Sequence, residues 1–164
     1  MRDPALVKPG HGWYIELDPW RKEETLKIMG LDPGSKRVGV AVSDALGLIA
    51  SSLTTLIHRR DEDLVAEIGD LARQLGVERI VVGLPIRMDG SLGPEALQAQ
   101  ALAESLEAAL GLPVVTWDER FSTQAVERVL IEADLSRKKR KTVRDKVAAA
   151  YILQGYLDAH GSSE

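Results

Sequence analysis

A chain of 164 residues, 45% apolar and 28% charged, has the size and composition of one globular domain with its own core, which excludes a wholly disordered protein. It contains no cysteine, so disulfides, thiolate metal sites and cysteine nucleophiles are excluded. Its histidines, His11, His58 and His160, lack metal-type spacing, and any metal is expected on oxygen, as Mg2+ or Mn2+.

Residues 1–24 read as an irregular arm. Pro4, Pro9, Gly10, Gly12 and Pro19 break any period, yet Trp13, Tyr14 and Trp20 supply three of the chain's seven aromatics. That content suits an arm lying on a surface. Nothing there has the apolar core of a secretory signal. No later apolar run approaches the roughly 18 residues of a membrane span.

Strand signals begin at Thr25. Leu26, Ile28 and Leu31 lead into the turn Asp32-Pro33-Gly34-Ser35. Val38, Val40 and Val42 alternate in a second strand, and Leu48–Ile57 forms a third, which gives an antiparallel meander. The period then becomes helical. Asp61 is expected to cap a helix striped by Leu64, Ile68, Leu71 and Leu75 and ended by Gly76. Ile80–Val82 is a continuous apolar run, the mark of a strand covered on both faces. A loop follows from Gly83 to Gly93. Pro94 suits the first turn of a helix carrying Leu102, Leu106 and Leu110 and ending at Gly111.

Pro113–Trp117 is a fifth strand, and Ser122 can cap a short helix containing Val126, Val129, Leu130 and Ala133. A basic loop then leads to a last helix, capped by Thr142 and reaching about Ala159. The order βββαβαβαα predicts an α/β ribonuclease H-like fold: a five-stranded mixed sheet, a three-strand antiparallel meander plus two parallel strands, with helices on both faces. The domain is expected over residues 25–159, between the arm and a 160–164 tail.

Charge is unevenly spread. The net charge is −4, but Ser136–Lys146 holds Arg137, Lys138, Lys139, Arg140, Lys141, Arg144 and Lys146 against the single acid Asp145. That segment carries +6 and leaves −10 for the rest. An acidic body with one basic segment fits a protein that grips a polyanion at one place. A solvated surface loop is the plainer alternative.

The acids fall at matching element ends. Asp32 ends the first strand, Asp118 and Glu119 end the fifth, and Asp145 lies at the start of the last helix. Strands one, four and five run parallel, so one and five deliver their ends to the same sheet edge, where ligands of such sheets gather. Carboxylates gathered there repel each other, and divalent cations offset that repulsion; two of them can clamp a phosphodiester for hydrolysis. Each acid also has a plainer role. Asp32 suits an Asp-Pro-Gly turn, Asp118 and Glu119 are possible solvent charges beside Arg120, and Thr142-x-x-Asp145 resembles a capping box. Strand alternation allows only one of Asp118 and Glu119 to face the site.

Several motifs resemble the YqgF/RuvX family. They are Gly30–Asp44 (GLDPGSKRVGVAVSD), Val82-Gly83-Leu84-Pro85 with Met88-Asp89-Gly90-Ser91, Trp117–Thr123 (WDERFST), and Lys138-Lys139-Arg140-Lys141 continuing to Asp145-Lys146. The resemblance runs from about Leu26 to Asp158, in order. It implies a cytoplasmic bacterial nuclease, related in fold to RuvC resolvases. The activity implied is maturation of the 5′ end of pre-16S ribosomal RNA, with Holliday junction resolution as the alternative.

Carried over by position, Asp32, Glu119 and Asp145 are the expected catalytic and metal-binding acids, with Asp118 less firmly placed. Lys36, Arg37, Arg137, Lys138, Lys139, Arg140, Lys141 and Arg144 are the expected phosphate contacts. The expected partner is RNA, or branched or single-stranded DNA, and the expected assembly a monomer or homodimer. The chain departs from the resolvases where a second acid of the last helix would stand, since it has Ala148 and Ala149. A catalytically silent nucleic-acid-binding domain is a further alternative, as is a phosphotransferase. The phosphotransferase needs two such domains, and this chain is long enough for one.

Overall fold

Five strands form one sheet in the spatial order β3-β2-β1-β4-β5. Chain order gives β1 (Ile28–Pro33), β2 (Arg37–Ser43), β3 (Ala50–Ile57), α1 (Asp61–Leu75), β4 (Arg79–Leu84), α2 (Pro94–Leu110), β5 (Val114–Asp118) and a last helix, α3 (Arg137–His160). The computed structural model describes residues 26–57, 60–120 and 136–160, with the side chains of 140–146 left aside. The arm and the helix expected after Ser122 lie outside the described residues.

The antiparallel meander and the two parallel strands are as the sequence predicts. Short turns allow β1 to pair with β2, and β2 with β3, only in antiparallel fashion; Leu31 faces Val40 and Asp32 faces Gly39. Helical crossovers return the chain parallel to β1, so Gly30 pairs with Val81 and Gly83 with Trp117. β4 therefore lies between β1 and β5.

Alternation along these strands builds two cores. On one face Met29, Leu31, Val38, Val40, Ile80, Val82 and Leu84 pack with Leu64 and Ile68 of α1 and Ala99 and Leu106 of α2. On the other, Ile28, Ala41 and Val81 pack with Ala149, Ile152, Leu153 and Tyr156 of α3.

Helix ends follow local chemistry. Gly76 and Gly111 take left-handed conformations, φ 69° and 66°, and close α1 and α2 at no Cβ cost. Pro94 opens α2. The cap of α1 is Arg60, without a side-chain bond. Asp61 is thus the first helical residue and not the cap; there it still complements the helix dipole, beside Glu62 and Asp63.

α3 departs most from expectation. It begins at Arg137, so the basic loop and the Thr142 cap are both replaced by helix. The reason is Ser136, whose Oγ accepts the backbone N–H of Lys139 at 3.3 Å, the geometry of an N-cap serving the third helical residue. Arg and Lys then continue the helix because they are good helix formers. Asp145 lies two turns inside this helix, and the capping-box role falls away. At its other end α3 includes His160, the first residue assigned to the tail. Among the described residues no helix is long and apolar enough to cross a membrane.

Candidate active site

The face of the sheet that meets α3 carries the acids. Counting alternately along the strands from the residues packed on α3, this face bears Ile28, Gly30 and Asp32 on β1, Val81 and Gly83 on β4, and Val115, Trp117 and then Glu119 past β5. Two glycines allow the close fit that this face needs. A Cβ on Gly30 would lie 2.7 Å from Leu153 Cβ and 3.2 Å from the Ala149 carbonyl. A Cβ on Gly83 would lie 2.7 Å from both Glu119 Oε1 and Ile152 Cδ1. Glu119 therefore occupies the space a side chain at 83 would take. Glycine inside a strand is the sequence signal for such an approach, and motif reading by itself missed it.

Glu119 sits against Asp32 with its Oε1 closed off from solvent. Burial, then the charges of Asp32 and Asp118, then a hydrogen bond with Asp32 push its carboxyl up to about 8. Near neutral pH the pair then holds a proton between two groups that would otherwise both be anionic. Asp118 is placed differently. Its carboxylate accepts from Arg120 Nε at 2.8 Å, from Arg120 Nη2 at 2.6 Å and from the Arg120 backbone N–H at 3.0 Å. The Arg120 side-chain bonds hold the Asp118 carboxyl below its ordinary range. β5 thus gives one acid to the face under α3 and ties its neighbour to an arginine.

Asp145 is positioned here by backbone alone. The Ala149 carbonyl lies over Gly30; one helical turn back, about 5.4 Å, is Asp145, and two strand residues on, about 6.6 Å, is Asp32. The two positions are level. Ala149 itself is buried, with its carbonyl packed over Gly30. Among the described residues no three of His, Cys, Asp and Glu group as metal ligands.

The donor set nonetheless suits a divalent cation. Asp32 and Glu119 are hard oxygen ligands; burial, then the neighbouring charges, raise the Glu119 carboxyl, and a cation would take the place of its proton. The basic residues lie at the same end of the molecule. Lys36 is exposed in the β1–β2 turn and Arg37 at the start of β2, and Arg137, Lys138 and Lys139 are exposed in the first turn of α3, where the helix dipole adds to their positive field.

Two strand-end carboxylates beneath a helix, on a sheet of this order, define a ribonuclease H-like domain. The same fold is seen in Thermus thermophilus RuvC in complex with a Holliday junction substrate (TM-score 0.52, 15% identity, covering 84% of this chain and 97% of that one). It is seen again in the fowlpox virus Holliday junction resolvase (TM-score 0.50, 12% identity, covering 82% and 99%). Residues 26–159 match the family model described as RuvX: Holliday junction resolvase, and the chain belongs to that family. Relatives bearing the name "Putative pre-16S rRNA nuclease" include one from Moorella thermoacetica, 54% identical over 84% of this chain and 99% of its own. Another, from Bacillus cytotoxicus, is 50% identical over 82% and 99%.

Proposed function

We propose that this protein is a divalent-metal-dependent nuclease that trims the 5′ end of pre-16S ribosomal RNA in the cytoplasm, as a monomer or homodimer. The observation that carries the reading is the Asp32–Glu119 pair, adjacent, with Glu119 pushed up to about 8 at the edge where this fold binds ligands. The names of the relatives support the substrate.

Asp32, Glu119 and Asp145 would hold Mg2+ or Mn2+. Bound there, such an ion supplies Lewis-acid activation of a water and neutralises charge on the leaving 3′ oxygen. Asp32 and Glu119 orient what they hold, because their strands are fixed on both sides of β4. Asp118 is a positioning residue, locking Arg120 and the chain direction after β5. Arg137, Lys138, Lys139, Arg140, Lys141 and Arg144 would hold the phosphate backbone without reading sequence, with Lys36 and Arg37 on a neighbouring phosphate.

A second reading, Holliday junction resolution, is favoured by the description of the matching family. One assay separates the two. Purified protein with Mn2+ is offered a pre-16S 5′-leader RNA and a four-way DNA junction in parallel. Cleavage of the RNA at the mature 5′ end, with the junction left intact, is the expected result; the converse assigns the protein to junctions. Binding of both without cleavage of either marks a silent binding domain.

A further inference from the structure

β3 closes one side of the sheet, and among the described residues nothing pairs with its outer edge. Edge strands are commonly guarded by charge or proline. From Ala45 to Ile57 this segment has neither. It holds instead Leu46, Leu48, Ile49, Leu53 and Ile57, five of the eight exposed large apolar side chains among the described residues. The start of the strand is fixed in place. Gln154 of α3 accepts the Ala50 N–H at 2.9 Å and donates to the Leu48 carbonyl at 2.9 Å.

Beside this edge a groove of about 450 Å3 runs between β3 and α1. Leu53, Leu56, Leu71 and Leu75 give it an apolar lining, and Glu67 and Asp70 stand in its wall. The β2–β3 register slips between Val40 and Ala41, which leaves Leu53 opposite no residue of β2. A strand added to β3 would lie about 4.8 Å farther out. Its alternate side chains would cover these leucines and come beside the two acids.

We propose that this edge and groove form a docking site for an extended polypeptide segment that alternates apolar and basic residues and joins the sheet as a sixth strand. Main-chain bonds to β3 supply the affinity, and the groove supplies the selectivity. Charge selects the occupant. α1 carries Asp61, Glu62, Asp63, Glu67 and Asp70 against Arg73 alone, and Arg73 pairs with Asp70. That field repels a nucleic acid. It also disfavours a second copy, because antiparallel pairing of β3 with β3 keeps both α1 helices on one face and turns Glu67 and Asp70 toward their equivalents. Residues 1–24, whose acids outnumber their bases, match the groove no better. The groove belongs to the face that carries α1, so a partner seated there leaves the carboxylates under α3 uncovered.

The test uses the full chain in low salt, where exposed charges act. A labelled short peptide alternating lysine and valine is titrated and read by fluorescence anisotropy. Its controls carry glutamate for every lysine, or proline for the central valine. The lysine–valine peptide should bind. Each control should bind about tenfold more weakly or worse, since one loses the charge and the other the ladder. Glu67→Lys combined with Asp70→Lys should lose about tenfold, the scale of two exposed ion pairs, at unchanged melting temperature. Hydrogen exchange should find the β3 amides that do not bond β2 open in the free protein and slowed by the peptide. Equal binding of the proline peptide reduces the effect to charge and overturns the site. Equal binding of the glutamate peptide, undiminished binding by the double variant, or no binding of the lysine–valine peptide overturns it too. So do outer β3 amides already slow in the free protein: slowing that grows with protein concentration gives the edge to a second copy, and slowing that does not gives it to the chain's own arm. The nuclease reading stands or falls separately from each of these results.

Discussion

The two faces of the sheet are built from alternate residues of the same strands, yet they do different work. Toward α1 and α2, β1 and β4 present Met29, Leu31, Ile80, Val82 and Leu84, all buried in one apolar core. Toward α3 the same strands present Gly30, Asp32 and Gly83 beside Ile28 and Val81, which anchor a second apolar core. One face gives cohesion, at roughly 25 cal/mol per Å2 of apolar surface buried. The other gives up side-chain volume so that a helix can close over two repelling acids. Neighbours in sequence therefore differ in what their loss should cost, and four perturbations can break or sharpen that contrast.

The largest effect on stability is expected at Leu31. It is fully buried, and Leu31→Ala should cost about 2–5 kcal/mol in urea unfolding while cleavage per folded molecule stays near wild type. A loss of chemistry without loss of stability would mean that the faces are not separate.

Gly83→Ala should do the reverse. The new Cβ overlaps Glu119 Oε1 and Ile152 Cδ1. Glu119, the flexible one, should swing away and weaken Mn2+ binding by about 10–100-fold, the scale of losing a ligand's supporting contact. Unfolding should shift by only about 1–3 kcal/mol. Calorimetric titration with Mn2+ and a urea curve read the two effects.

The third is a pH dependence. The folded carboxyl of Glu119 is raised from 4.5 to about 8, so between those values the native state binds more protons than the unfolded one. Metal-free stability should fall as pH rises through this window and level off above it. Mg2+ at pH 8 should recover the loss, since it binds only the folded pair. Melting curves from pH 4.5 to 9, with and without Mg2+, check the sign. A metal-free melting temperature that rises through this window would contradict the burial of Glu119.

The smallest effect is expected at Asp118. Asp118 and Arg120 are 27% and 30% exposed, and such a pair contributes about 1 kcal/mol or less. Asp118→Asn should barely move the melting temperature and leave Mn2+-dependent cleavage within a few-fold of wild type.

The sequence made much of this readable where one residue type does one job. The strands of the meander alternate cleanly, α1 and α2 are punctuated by Pro94, Gly76 and Gly111, and Asp32 and Glu119 stand at strand ends that the parallel topology must bring together. The start of α3 was not readable in this way. Residues 137–141 have no apolar period, and 137–139 are exposed; a run of Arg and Lys without such a period resembles a loop until Ser136 is seen to cap it. Gly30 and Gly83 looked like ordinary motif glycines, since their meaning depends on Leu153, Ile152 and Glu119 approaching from distant parts of the chain. The tying of Asp118 to Arg120 was equally a matter of side-chain direction, which alternation bounds but does not fix.

The central claim is that Glu119 is held protonated against Asp32 for a cation to displace the proton. It is tested most directly by Glu119→Gln, read twice on one preparation at pH 8. Metal-free, this variant should melt higher than wild type, because an amide has no charge to bury and none to repel Asp32. With Mn2+, its cleavage of the leader RNA should fall by more than the roughly 10–100-fold of a lost supporting contact. A variant that melts at or below wild type and still cleaves at low Mn2+ would contradict the account.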